Sequence, residues 1–216
     1  MNSVKSLEPV VDPNNRITFL LDWELTMKCN LDCSYCEADI YGGHDNSTAH
    51  PKLEDCINTI KFMFEYANRQ MSFRPQALKY VILNVYGGES LHHPNIVDIL
   101  KFAKEYHKQY QDQWQLTITT TTNAIVSAKK LQSIIPFINE FTVSYHTESS
   151  DKQKQQFLKN LLTIKKAGVK QKCIVLMHAE SELFADAQRM ISWLQEHNIK
   201  SLPRQLDHRD RKSTRL

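Results

Sequence analysis

The chain lacks any apolar run of the roughly 18 residues that a membrane-spanning helix needs, so no span is predicted. It also lacks a charge of one sign: 27 Lys and Arg against 24 Asp and Glu leave +3 with histidines neutral, which gives no electrostatic footprint for nucleic acid. The start, Met1 to Asn15, is polar and holds Pro9 and Pro13, without the basic-then-apolar layout of a signal peptide. There is no internal repeat and no low-complexity tract. Only five cysteines are present and three are clustered, a poor disulfide framework. Free thiols of this kind fit a reducing, cytoplasmic compartment. What remains is an ordinary globular composition, 41% hydrophobic and 24% charged over 216 residues, enough for one domain with a real core.

Period-two alternation predicts a strand over Ile17–Leu25, with Thr18, Asp22 and Glu24 on its polar face. A turn-rich segment, Tyr41–Asn46, follows. Leu53, Ile57, Ile60, Met63, Phe64 and Ala67 then recur at helical spacing. Further strands are expected at Tyr80–Tyr86, Leu116–Thr122, Phe141–Tyr145, Lys172–Met177 and Lys200–Leu206, the last weakened by Pro203. Helices are expected after Pro94, from about Ser127 to Pro136, over Ser150–Ala167 with Gly168 beyond its end, and from a Ser181 cap to about His197. Their inward residues include Phe157, Leu158, Leu161, Leu162 and Ile164, then Phe184, Ala187, Ile191 and Leu194. Such alternation makes parallel βα units with right-handed crossovers. A closed eight-fold barrel, an open doubly wound sheet and a partial barrel all satisfy it. In each, active sites gather at the C-terminal ends of the strands.

The chemistry concentrates at one such end. Cys29, Cys33 and Cys36 stand at C-x3-C-x2-C spacing directly after the first strand. Thiolates are soft ligands that suit iron–sulfur clusters or zinc. Structural zinc takes four protein ligands, usually as two pairs, so His44 or His50 would have to complete the set. A cubane cluster would use three thiolates and leave one iron open. Cys56 and Cys173 stand alone and read as small buried hydrophobes. The second strand ends in Gly87-Gly88-Glu89, the third at Asn123, the fourth at Ser144 and His146, the fifth at His178.

These motifs, in this order, resemble the radical S-adenosylmethionine (radical SAM) superfamily, over about residues 16–207. Ser90 stands where that family commonly has proline. The resemblance implies an α/β fold, a partial (β/α)6 TIM-like barrel, here ending after about the sixth strand. The implied organisation is a leader over 1–15, a core domain over 16–207 and a charged tail over 208–216. No sixth helix follows, so the tail is either a solvated end or the mark of a truncated chain. The implied cofactors are a [4Fe-4S] cluster on Cys29, Cys33 and Cys36, and S-adenosylmethionine chelated to its open iron. Tyr35 would pack near the adenine. Gly87, Gly88 and Glu89 would meet the ammonium, Asn123 would line the cavity, and Ser144 would bond the ribose or the carboxylate. The implied reaction is reductive cleavage to methionine and a 5′-deoxyadenosyl radical that abstracts hydrogen from a small molecule or a peptide. His146 is the candidate for a catalytic side chain. An external flavodoxin- or ferredoxin-like protein would supply the electron. Two other readings stay open: a glycyl-radical-enzyme activase, and a non-catalytic zinc- or cluster-binding barrel module.

Overall fold

A computed structural model describes residues 5–6, 10–11, 15–36 and 49–206. The expected turn segment at 41–46, His44 and the charged tail lie outside the described residues. The elements are β1 (Lys5–Ser6), β2 (Val10–Val11), β3 (Arg16–Thr26), α1 (Leu53–Ser72), β4 (Leu78–Gly87), α2 (Ile96–His107), β5 (Gln115–Thr122), α3 (Ala128–Ile134), β6 (Glu140–Tyr145), α4 (Asp151–Lys166), β7 (Lys170–Met177), α5 (Ser181–Glu196) and β8 (Lys200–Gln205).

β3 to β8 pair in chain order and in parallel, so the α/β sheet is open, with six parallel strands and helices between them. Within residues 1–15, two short strands are described. They pair antiparallel with β3, at Lys5↔Asp22 and Val10↔Thr18. They thereby cover an edge whose backbone groups would otherwise lack ladder partners.

Alternation decides which face each residue takes. In β3, Ile17, Phe19, Leu21, Trp23 and Leu25 are buried beneath the helices, and so are Val81, Leu83 and Val85 in β4. The other face is half-buried and polar. Its threonines Thr117, Thr119 and Thr121 come from β5, while Thr120 and Thr122 of the same run point into the core. On this face Asn84 Nδ2 donates to Asp22 Oδ1 (2.7 Å) and Thr119 Oγ1 donates to Asn84 Oδ1 (3.0 Å). Lys172 pairs with Glu140 at 3.1 Å.

The helix ends follow local chemistry. Ser150 closes a capping box with Gln153, and Gly168 takes φ +72° just past α4, where a side chain would be strained. Ser127 caps α3, which passes into a 3₁₀ turn containing Pro136. Three expectations need correction. Ser181 is the first residue of α5, not its cap; Glu180 holds the cap position without a side-chain bond. Phe184 and Leu162 are 37% and 39% exposed, while Met190 and Asn160 are buried on the same helices. Cys56 and Cys173 are buried, at 1% and 0% exposure.

Candidate functional site

The cysteine loop leaves β3 at Thr26 and is held from four other strand ends. The first grip is backbone. The N–H of Gly88 donates to Thr26 O (2.8 Å) and that of Glu89 to Lys28 O (2.7 Å). This contact explains the glycines. A Cβ on Gly87, whose φ is +145°, would stand 2.1 Å from Thr26 O, and one on Gly88 2.5 Å from Met27 O. Only glycine lets the two chains come this close.

Glu89 is wholly buried. Its Oε1 accepts from the Leu91 N–H (2.9 Å) and the Thr122 hydroxyl (2.7 Å), and its Oε2 from the Asn123 N–H (2.6 Å). Burial pushes its pKa up, against the pull of these three donors. The carboxylate therefore welds the β4 turn to the end of β5. Through the two backbone bonds it also fixes the start of the cysteine loop.

The second grip is Asn123, 4% exposed. Its Oδ1 accepts from Ile125 N (2.9 Å), a local Asn turn. Its Nδ2 donates to Asn30 Oδ1 (2.7 Å) and lies 3.9 Å from Cys29 Sγ. Asn30 in turn donates to Ile125 O (3.0 Å). The third grip comes from the end of β6. His146 Nδ1 lies 3.3 Å from Cys33 Sγ and hydrogen-bonds the Tyr35 hydroxyl. Glu148 accepts from the Ser34 N–H (2.8 Å) and from the Ser34 hydroxyl. The fourth is His178, 3% exposed after β7, against which the Tyr35 ring packs edge-on at 5.1 Å. Ser144 is half-buried, two residues before His146 and on the same face.

Burial sets the proton affinities. It pushes the Cys33 thiol up to about 11, with the neighbouring Cys29 and Cys36 adding to the rise, and it raises Cys29 as well. Burial lowers His146 to about 4, so its ring is neutral at pH 7. His50 is also lowered to about 4, by burial and by His93 beside it; its Nδ1 bonds the Thr26 hydroxyl at 2.9 Å. One of its two ring nitrogens is thus engaged by the end of β3. Among the described residues no three His, Cys, Asp or Glu side chains converge on the position of a single metal ion.

The sequence reading did not single out Asn30, Glu148 or Asn160. Asn160 is 1% exposed, and its Nδ2 donates to Ala124 O (2.7 Å) and Val126 O (2.8 Å), bracing the chain just after Asn123. Its signal was a polar residue between Phe157 and Ile164 in an apolar stripe. Asn30 and Glu148 had no signal, since both act across long sequence separations.

No family model and no curated protein matches this sequence. Solved structures do match in fold. The chain is similar to anSMEcpe, an anaerobic sulfatase-maturating radical SAM enzyme with bound AdoMet (S-adenosylmethionine), with TM-score 0.60 and 13% identity over 88% of this chain and 51% of the other. A tagged form with bound AdoMet matches at the same TM-score, and one with AdoMet and a Cp18Cys peptide matches at 0.59 and 12% identity. The chain spans about half the length of these structures (51%, 49% and 50%). At this identity the likeness establishes the fold: a partial TIM-like barrel of the kind that radical SAM enzymes use.

Proposed function

We propose that this chain is a radical SAM enzyme, with Cys29, Cys33 and Cys36 holding a [4Fe-4S] cluster at the C-terminal mouth of the partial barrel. The observation that carries the reading is the coincidence of a C-x3-C-x2-C loop with the strand end where this fold puts its chemistry. The donor set fits the group: three soft sulfur donors in one loop, braced from four neighbouring strand ends. The fold likeness to AdoMet-bound structures supports the second cofactor.

Reductive cleavage of S-adenosylmethionine at such a site supplies a 5′-deoxyadenosyl radical, which abstracts hydrogen from the substrate. The residues of the chain would bind, orient and exclude water around that chemistry. Tyr35, with its ring held between His146 and His178, would form a wall for the adenine. Backbone groups at Gly87 and Gly88 would meet the ammonium, and Ser144 the ribose or carboxylate. Glu89 and Asn123 would act through the loop they fix. His146, neutral and bonded to Tyr35, would orient the ring; a role as proton donor would require Tyr35 to move. The electron would come from an external flavodoxin- or ferredoxin-like donor. The peptide in one of the similar structures makes a peptide the favoured substrate class over a small molecule.

The test is anaerobic. Protein reconstituted with iron and sulfide is given S-adenosylmethionine and dithionite, and 5′-deoxyadenosine is sought by mass spectrometry. The product should form with the native chain and vanish in Cys33→Ala. Zinc uptake in place of iron, with no product, would favour a non-catalytic metal-binding module instead.

A further inference from the structure

The three clustered thiols are not alike. Cys33 is buried, at 7% exposure, while Cys29 and Cys36 are half-buried. A buried sulfur must take its hydrogen bonds from the protein rather than from water. Cys29 has a backbone donor, the Leu31 N–H at 3.4 Å. Cys33 is met by side chains instead. His146 Nδ1 lies 3.3 Å from its Sγ, and the Tyr35 hydroxyl bonds the same Nδ1. A hydrogen bond from that hydroxyl also pulls the Cys33 thiol down, against the larger effect of burial. Local alternation accounts for the placement of His146: it directly follows β6 and shares a face with Ser144, so it points to the mouth where the cysteine loop lies. Tyr35 is held by its ring, which packs on His178 at 5.1 Å, and Glu148 gives both of its oxygens to Ser34.

The chemistry of the sulfur decides where the ring proton sits. A cysteine that ligates metal is a thiolate, so its sulfur can only accept. With the proton on Nε2, the lone pair of Nδ1 would face the sulfur at 3.3 Å, two acceptors in contact. With the proton on Nδ1, the ring donates to the sulfur, and the Tyr35 O–H is free to donate there as well. Donors at a ligating sulfur stabilise the more negative, reduced state of a cluster and so raise its reduction potential. The effect is strongest where water is excluded, as at Cys33.

We infer that His146, through Nδ1–H, and Tyr35, through its hydroxyl, donate hydrogen bonds to the sulfur of Cys33 and raise the reduction potential of the four-iron group held there. The inference deepens the proposed function and rests on it. Both are positioning residues, acting through Cys33 and not on the substrate. The electron comes from the external one-electron donor; no bond forms or breaks in that step, and the protons stay on Nδ1 and on the phenol oxygen.

The experiment is a redox titration of the anaerobically reconstituted chain, without S-adenosylmethionine, read by electron paramagnetic resonance. His146→Leu removes the ring donor and should disfavour reduction about three- to tenfold, a midpoint about 30–60 mV more negative at 59 mV per decade for one electron. His146→Asn sets an amide N–H close to where Nδ1 stood and should recover at least half of that fall. Tyr35→Phe removes one atom from a packed ring and should also lower the midpoint, so the test does not depend on the leucine variant folding. Asn160→Ala is the structural control, because its bonds go to Ala124 O and Val126 O and not to a sulfur; it should keep the native midpoint. A fall of less than about threefold in His146→Leu overturns the inference and leaves the functional reading standing. So does an unmoved midpoint in Tyr35→Phe, an asparagine variant that recovers less than half, or a fall in Asn160→Ala as large as the leucine variant's. A native chain with no four-iron signal overturns the functional reading and the inference together.

Discussion

Replacing Glu89 by Ala should first damage the fold, and this can be measured without any cofactor. The carboxylate is wholly buried and takes hydrogen bonds from Leu91 N, Thr122 Oγ1 and Asn123 N. Truncation leaves two backbone N–H groups and a hydroxyl without acceptors, at about 1–3 kcal/mol each. Against this, the substitution removes a carboxylate whose raised pKa reports a desolvation cost. Taking the low end for each donor gives a net loss of about 3 kcal/mol, a large part of the ~5–15 kcal/mol that holds a typical domain together. For a domain of this size that is roughly 6–12 °C in Tm. Glu89→Gln keeps one oxygen for Leu91 and Thr122 but turns an amide N–H₂ toward the Asn123 N–H. It should lose about 1–2 kcal/mol, and so lie between the native chain and the alanine variant. The assay is urea denaturation of metal-free protein at pH 7, followed by circular dichroism. If the alanine variant loses less than about 1 kcal/mol, the three bonds are not what fixes this turn, and Glu89 would have to act through a ligand instead.

Gly88→Ala would drive a Cβ to within 2.5 Å of Met27 O and 2.6 Å of Lys28 O; it should cost about 1–3 kcal/mol and lower the iron retained per chain, measured by denaturation and iron analysis. Asn160→Ala should strand the carbonyls of Ala124 and Val126 and lose about 2–4 kcal/mol, whereas Lys159→Ala, on the exposed side of α4, should lose well under 1 kcal/mol. For pH, His50 has its folded-state pKa lowered to about 4 from an ordinary 6.5, so the unfolded chain binds the proton more readily. Its contribution is present above pH 6.5 and is lost as pH falls toward 4. Glu24 and Glu89, raised by burial, tilt the curve the other way above the ordinary carboxyl range, with stability declining as pH rises. The readable quantity is therefore the difference between native and His50→Gln: the variant should show a shallower fall from pH 6.5 to 4, and an identical slope would contradict the environment described for His50.

The strands were legible because one face of each is buried. The alternation in Ile17–Leu25 and the β-branched threonines of β5 carried the answer directly, and the strand ends were found to within a residue or two. Helix faces were less secure where a polar side chain has buried work. Asn160 took an inward place while Leu162 faces out, and Phe184 is exposed although Ala187, Met190 and Leu194 of the same helix are buried. β1 and β2 left no trace, since two residues cannot display a period and the partner strand supplies the order. The cysteines, the Gly-Gly-Glu turn, Asn123 and His146 were legible as strand-end residues. The division of labour among them was not. That Gly87 and Gly88 are required by the backbone of Thr26–Lys28, and that Glu89 spends its acceptors on the protein, depends on contacts between segments about 60 residues apart.

The most direct test of the central claim is the electron paramagnetic resonance spectrum of the anaerobically reconstituted, dithionite-reduced protein, recorded with and without S-adenosylmethionine. The account predicts a four-iron signal that depends on Cys29, Cys33 and Cys36 and changes shape when S-adenosylmethionine is added, because one iron is left open to it. A protein that assembles no iron–sulfur signal, or one whose signal is indifferent to S-adenosylmethionine, would contradict it.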